Sequence, residues 1–199
     1  MKKEGLIFVI SGPSGSGKST LVEELLRDRQ LRKKLARSIS LTTRPRRSGE
    51  KDGKDYFFVS SSVFKARLAA KKILERTKYL RYYYGTPREF VEKQFKRGRH
   101  IVLCLDYRGV LQLRRVLPHN TVAIFILPPS LEELRWRIQE RCHLTREKEV
   151  CQRLGLAKRE LALARRYDYR VKNKNLNQAT EALKKIILGK INSKEHGEV

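Results

Sequence analysis

Cysteine is scarce in this 199-residue chain. The three present, Cys104, Cys142 and Cys151, form no CxxC pair and have no histidine at zinc-site spacing, which argues against both a zinc cluster and a disulfide framework. An odd, sparse set suits reduced thiols, so the expected location is cytoplasmic. Long hydrophobic runs are missing as well. The run Leu6 to Ile10 is too short for a signal-peptide core and far too short to span a bilayer. No other stretch approaches a membrane helix, so the expectation is a soluble protein with no membrane partner. Acidic residues are few: 21 Asp and Glu stand against 46 Lys and Arg, a formal net charge of +25. Such a field attracts phosphates and nucleic acid without saying anything about fold. The basic residues are spread along the chain and carry no recognised nucleic-acid motif, so nucleic acid is expected only through non-specific charge. Internal repeats and low-complexity blocks are also absent. What remains is 40% apolar residues, enough for a core, in a length that suits one compact domain.

Short apolar runs alternate with helical patterns. Leu6–Ile10, Ile101–Leu105 and Val122–Leu127 read as buried strands, with Tyr56–Val59 and Tyr169–Val171 as shorter ones. A helix is expected from Lys18, with Leu21, Leu25 and Leu26 on one face. A second, after Ser60-Ser61-Ser62, carries Phe64, Leu68 and Ile73, and a third runs from Glu89 to Arg97, stopped by Gly98. Ser130-Leu-Glu-Glu133 is a capping box that opens a helix to about Arg141. Cys142 to Glu149 has no apolar period and is expected to be mobile. Helices over about Val150–Arg166 and Gln178–Ile191 follow, with a frayed tail from Asn192. Strands alternating with helices predict an α/β fold with a parallel sheet covered by helices.

The strongest chemical signal is Gly12-Pro13-Ser14-Gly15-Ser16-Gly17-Lys18-Ser19-Thr20, which contains GxxxxGK[ST] directly after a strand and directly before a helix. Glycines let consecutive backbone N–H groups turn inward around phosphate oxygens, and the helix N-terminus adds a favourable dipole. In such a loop Lys18 reaches the β- and γ-phosphates of ATP, and the Ser19 hydroxyl is a ligand for Mg²⁺. The expected cofactor is therefore Mg²⁺, with ATP as phosphoryl donor.

A phosphate loop names no acceptor. The segment Thr42-Thr-Arg44-Pro-Arg-Arg47-Ser-Gly-Glu50-Lys-Asp-Gly53-Lys-Asp-Tyr56 does more. With Tyr83-Tyr84-Gly85-Thr86, Asp106, Pro128-Pro-Ser-Leu131 and Arg153-Leu154, it makes the chain resemble guanylate kinase over roughly residues 5 to 190. The resemblance implies a P-loop kinase whose parallel core sheet is flanked by helices (residues 1–37, 91–140 and 157–191). It also implies a GMP-binding insert at about 38–90, a mobile lid at about 141–156 and a tail at 192–199. It implies a GMP phosphate held by Ser40, Arg44, Arg47, Tyr56 and Tyr84, and a guanine base read by Glu75 and Thr86 with Asp106 nearby. Asn173 would contact adenine, and Arg137, Arg141 and Arg153, with Lys18 and Arg44, would clamp the transferring phosphoryl group. The chemistry agrees. Arginine forks suit phosphate oxygens. A carboxylate can accept from both N1–H and the 2-amino group of guanine, and adenine offers neither donor. The expected reaction is ATP plus GMP to ADP plus GDP, in purine nucleotide metabolism, by a monomer or homodimer. The alternatives are a P-loop kinase for another small phosphorylated acceptor, or a non-catalytic guanylate-kinase-like binding module.

Three departures stand out. Cys104 occupies the position, two residues before Asp106, where the family usually has an acid, and Arg108 replaces a glutamine. A neutral thiol does not offer Mg²⁺ the oxygen it prefers. Asn173-Lys174-Asn175 replaces an Asn-Asp-Asp pattern. Leu80-Arg81-Tyr82 has no glycine where the family has a sharp turn, so a gentler loop is expected there.

Overall fold

The computed structural model describes residues 5–140 and 147–196. In chain order its elements are β1 (Ile7–Ser11), α1 (Lys18–Arg27), α2 (Leu31–Lys34), β2 (Leu35–Arg37), β3 (Leu41–Thr42), β4 (Phe57–Phe58) and α3 (Ser61–Ala69). The hairpin strands β5 (Ile73–Tyr79) and β6 (Tyr82–Pro87) follow, then α4 (Arg88–Lys96), β7 (His100–Cys104), α5 (Tyr107–Val116) and β8 (Thr121–Leu127). The chain continues with α6 (Leu131–Glu140), α7 (Glu147–Ala162), a short 3₁₀ turn (Ala164–Arg166), β9 (Tyr169–Lys172) and α8 (Leu176–His196). The fold is mixed α/β, with a parallel central sheet flanked by helices, as the alternation predicts.

The chain divides into two compact units, residues 5–7 with 34–121, and residues 8–33 with the described residues of 122–196. In the second unit β1, buried at every position, neighbours β8, and β8 pairs in parallel with β9, Ile124 opposite Tyr169 through Leu127 opposite Lys172. α8 buries Ala179, Leu183, Ile187 and Ile191, a four-residue spacing that keeps one apolar stripe inward. Leu134 and Ile138 of α6 pack with Val150, Leu154 and Ala157 of α7. Ser130 Oγ accepts from Glu133 N–H at 3.1 Å, one arm of the expected capping box, and the Glu133 carboxylate accepts from Arg137 Nε at 2.9 Å.

In the first unit β2 pairs in parallel with β7. A separate four-stranded sheet has the order β4-β3-β6-β5, and Leu41, Phe64 and Ile73 form the core beneath it, Phe64 stacked on Tyr83 at 5.6 Å.

Four expectations change. Ile73 lies on β5 rather than in a helix with Phe64 and Leu68, because α3 stops at Ala69 and Lys71 takes a left-handed φ of 55°. The loop before Tyr83 is not gentle: β5 and β6 pair out to Tyr79 opposite Tyr82, leaving a two-residue turn with Leu80 at φ 55°. A non-glycine residue there costs about 1 kcal/mol, which the long hairpin ladder offsets. α7 begins at Glu147, so the charged stretch is helical at its end, while residues 141–146, including Arg141 and Cys142, lie outside the described residues. Finally, α8 continues through His196, beyond the expected fraying point at Asn192, with Ile191 fully buried just before it.

Candidate functional site

The chemistry-bearing residues fall into two groups, one in each unit. In the second unit, the loop after β1 carries φ values of 139° at Gly12, 87° at Gly15 and 90° at Gly17, all in the range that side chains avoid. Space forbids side chains as well. A Cβ at Gly12 would stand 2.5 Å from the Ile126 carbonyl oxygen, and one at Gly17 would collide with the Asn173 amide. Lys18 Nζ donates to the carbonyls of Gly12 (2.6 Å) and Pro13 (2.8 Å), so the ammonium lies folded over the loop it would share with phosphates. Ser16 N–H donates back to the Pro13 carbonyl at 3.1 Å. The Ser16 hydroxyl is buried without a hydrogen-bond partner, whereas Ser19 and Thr20, in the first turn of α1, are exposed.

Around this loop stand three of the predicted partners. Arg153, buried to 7% exposure, donates from Nη1 to Ser14 Oγ at 3.3 Å. Asn173 donates from Nδ2 to the Ser16 carbonyl at 2.9 Å and is itself held by its backbone N–H on Leu127. Arg137 is anchored to Glu133 on the same helix face. A cleft of about 350 Å³ opens beside the loop, lined by Gly15, Gly17, Trp136, Asn173, Lys174 and Leu176 among others.

The first unit carries a different construction. Arg44, buried to 9% exposure, donates from Nη2 to Glu50 Oε1 at 2.6 Å and from Nη1 to the Pro45 carbonyl at 2.8 Å. Its guanidinium lies 5.5 Å from the Tyr56 ring centroid and 5.7 Å from that of Phe58. Tyr56 meets Tyr84 edge to face at 5.7 Å. Glu50 Oε2 accepts the Arg47 backbone N–H at 2.8 Å, while the Arg47 side chain remains exposed. Ser40 stands just before β3, and its carbonyl accepts from Phe57 N–H.

The second cluster of this unit depends on the hairpin. A register shift between Ile73 and Arg76 brings Glu75 opposite Thr86, and the Thr86 hydroxyl donates to Glu75 Oε1 at 2.7 Å. Glu75 is 2% exposed, and its other oxygen, Oε2, is buried with no partner. A Cβ at Gly109 would approach that oxygen to 3.0 Å. Asp106 caps α5, accepting from Gly109 N–H at 3.0 Å.

The electrostatics follow from burial. Burial pushes the Glu75 carboxyl up to about 7; the Thr86 hydrogen bond pulls the other way, and the Asp106 carboxylate adds to the rise. Asp106 is also raised, chiefly by burial, against the pull of the Gly109 and Arg108 backbone. Burial carries the Tyr56 phenol up to about 12, so it remains a donor at neutral pH. Burial works against the Arg44 charge, but the hydrogen bond and charge of Glu50 outweigh it, and Arg44 sits above its usual value. Burial likewise raises Glu50, and Arg44 with the Arg47 backbone brings it below the ordinary carboxylate range.

A profile of the family described as Guanylate kinase matches residues 4–190. The chain is 44% identical to "Guanylate kinase" of Caldanaerobacter subterraneus subsp. tengcongensis, over 94% of this chain and 89% of the relative. It is 42% identical to "Guanylate kinase" of Protochlamydia amoebophila, over 94% and 91%. The crystal structure of guanylate kinase from Anaplasma phagocytophilum superposes with a TM-score of 0.77 at 31% identity, covering 95% of this chain and 87% of that one.

The chain belongs to the guanylate kinase family. Members of this family are kinases that phosphorylate GMP using ATP, and kinases of this kind generally need a divalent metal. No helix among the described residues is long and apolar enough to cross a membrane.

Of the residues predicted for this family's chemistry, Gly12 to Thr20, Arg137, Arg153 and Asn173 gather around one loop. Arg44, Tyr56 and Tyr84 gather around a second point, and Glu75, Thr86 and Asp106 around a third, close enough for Asp106 to act on Glu75 electrostatically. Arg141 lies outside the described residues. Sequence reasoning assigned no role to Glu50, Phe58 or Gly109. Glu50 had a visible signal: it is the acid three residues after Arg47 in an otherwise basic run. Gly109 had none, since the crowding of a Cβ there, by Leu105 and by Glu75 34 residues earlier in the chain, arises only in the folded chain.

Proposed function

We propose that this chain transfers the γ-phosphoryl group of ATP to GMP, giving ADP and GDP, and that the two residue groups divide the work. The observation that carries this reading is the buried, half-satisfied carboxylate of Glu75. A lone buried acceptor is costly unless a ligand pairs it. Guanine supplies two adjacent donors, N1–H and the 2-amino group. Glu75 would accept both in its charged form, with Thr86 fixing the carboxylate and Asp106 close to the base. Arg44, Arg47, Tyr56, Tyr84 and Ser40 would hold the GMP phosphate. Arg44 is already buried, with Glu50 as its anionic partner.

On the donor side, the backbone N–H groups between Gly12 and Thr20 (Pro13 has none), the Ser16 hydroxyl and Lys18 would cradle the ATP phosphates, with Asn173 near the base. Arg137, Arg141 and Arg153 would neutralise the transferring group, since phosphoryl transfer depends on positioning and charge stabilisation rather than covalent catalysis. No residue is required as a covalent nucleophile.

The divalent metal in this proposal is Mg²⁺, which would shield phosphate charge and align the oxygens when bound. The exposed Ser19 hydroxyl is the hard oxygen donor it needs. No group of three His, Cys, Asp or Glu among the described residues is placed to hold a metal, so phosphate oxygens and water would complete its shell. The proposal includes a cytoplasmic location, a monomer or homodimer, no membrane partner, and contact with nucleic acid through non-specific charge alone.

The test is a coupled ADP-release assay with GMP, AMP, UMP and dGMP as acceptors. GMP is expected to exceed AMP and UMP by about 10³-fold or more in kcat/KM. Equal use of AMP and GMP would remove Glu75 from base reading.

A further inference from the structure

Trp136 is the only tryptophan of the chain and, at 57% exposure, the most open of the large apolar side chains among the described residues. It is not part of the α6 core face. Leu134 and Ile138, two residues to either side, are the buried pair, and two residues along a helix is about 200° of rotation. An indole so placed gains little for the fold by standing in water.

Its surroundings suggest what covers it. Gly15 of the phosphate loop lies against α6: a Cβ there would touch Leu134, Ile138 and Arg137 at 3.3 to 3.6 Å. Gly17 lies closer still to Asn173, whose amide a Cβ would strike. The cleft of about 350 Å³ is lined by Gly15 and Gly17 of the phosphate loop, by Trp136, and by Asn173, Lys174 and the exposed Leu176 among others. That volume suits a small ligand group.

We infer that Trp136 is the stacking platform for the base of the donor nucleotide in this chain. The inference rests on the reading that the phosphate loop holds the donor's phosphates. A nucleotide anchored there has its base a ribose away, and the cleft beside the loop, with Trp136 and Leu176 in its lining, lies within that reach. The indole would cover one face of the base, and Leu176 would bound the cleft opposite. Stacking on an aromatic face is a recurrent way to hold a base, and it tolerates base identity because every base presents a π face. Trp136 thus contributes affinity for the donor, and the finer choice among bases is left to edge contacts such as Asn173.

The single tryptophan is its own probe. Titrating the full chain with ATP or ADP is expected to quench or shift the indole emission, with the half-maximal change at the concentration that half-saturates the enzyme. Inorganic tripolyphosphate, which fills the loop without a base, is expected to leave most of the signal unchanged. Trp136→Ala should raise the KM for ATP roughly tenfold with little change in kcat or in the KM for GMP, and Trp136→Phe should recover most of the loss. Equilibrium dialysis with ATP separates the two ideas under test. If ATP binds and the emission does not respond, or Trp136→Ala keeps the wild-type KM for ATP, the platform is wrong and the kinase reading stands. If ATP does not bind at all, both fall.

Discussion

On the proposed reading, the donor and acceptor residue groups of this protein would hold phosphate by opposite means. The donor half is built from backbone. The loop Gly12 to Thr20 would offer its backbone N–H groups, Pro13 alone having none, and glycines at 12 and 17 are required by a carbonyl and an amide that a Cβ would strike. The acceptor half is built from side chains carried on β3, β5, β6, α5 and the loop between β3 and β4. Its key groups are charges that burial alone would not permit: Arg44 paired with Glu50, and Glu75 half paired with Thr86. A backbone cradle costs little when empty. A buried side-chain cradle is under electrostatic tension until its ligand arrives, and that difference predicts which half responds to pH and to charge substitutions.

The sharpest way to break the comparison is at Lys18. Lys18→Ala is expected to reduce turnover by about 10³-fold or more, because it removes the only cationic side chain of the loop Gly12 to Thr20, while binding of GMP alone stays near wild type. Coupled ADP release and calorimetric GMP titration, with a thermal melt as control, measure this. Turnover within tenfold of wild type in a well-folded variant would mean that the loop is not the donor cradle.

Glu75→Gln should do the converse. It places an amide donor opposite a guanine donor, so kcat/KM for GMP should fall about a hundredfold, with ATP binding unchanged. The same group governs pH behaviour. Its folded value, about 7, lies above the ordinary 4.5, so the protonated form favours the folded state. The stability it contributes is present in full below about 4.5 and is lost as pH rises through about 7, a change on the order of 3 kcal/mol. Urea unfolding at intervals from pH 5 to 8 should show wild type losing stability across that window relative to Glu75→Gln. GMP binding should run the other way, tightening as pH rises through 7 because guanine requires the carboxylate. The phosphate of GMP ionises near 6 in both proteins, so the difference between them isolates Glu75. Parallel pH curves would show that Glu75 is not the titrating group.

A third substitution sharpens the acceptor half. Glu50→Gln leaves Arg44 buried without its anion and should cost about 2 kcal/mol in urea unfolding. GMP should restore more stability to this variant than to wild type, since its phosphate can replace the missing carboxylate. Equal thermal shifts on adding GMP would indicate that Arg44 does not meet the phosphate.

The smallest effect is expected at Cys104, half-buried at the end of β7. Cys104→Asp restores the family's usual acid and should lower the Mg²⁺ concentration for half-maximal rate by about threefold, because a carboxylate can organise the metal's water shell. Identical Mg²⁺ curves from two equally stable proteins would remove this position from metal handling.

The donor half was legible because its determinants are local. Glycines, Lys18 and Ser19 are contiguous, and strand and helix abut them, so a one-dimensional pattern captures a three-dimensional cradle. The parallel-sheet architecture was legible for the same reason, since Leu6–Ile10, Ile101–Leu105 and Val122–Leu127 are short apolar runs with sharp ends. The acceptor half resisted. The hairpin strands β5 and β6 contain Glu75, Arg76, Lys78, Tyr82 and Tyr83 and show no clean alternation, because this sheet buries the polar Glu75 and Thr86, paired with each other, among its inward positions. Ile73 was assigned to a helix because its spacing from Phe64 and Leu68 fits a period of 3.6. A left-handed Lys71 ended that helix, and nothing in the side chain of a lysine announces it. The sharp turn at Leu80 is likewise imposed by strand pairing against local preference.

By itself the sequence determined the family, the phosphate loop and the alternating strands and helices of the α/β core, because those depend on contiguous residues and on the periodicity of apolar ones. Only the tertiary structure decided that Arg44 is held by Glu50, that Glu75 keeps one oxygen unpaired beside Thr86 and Gly109, and that Trp136 faces a cleft rather than a core. Those facts depend on groups 6 to 34 residues apart or more being brought within hydrogen-bond or van der Waals reach, and on the desolvation that follows, neither of which is written in any single stretch of chain.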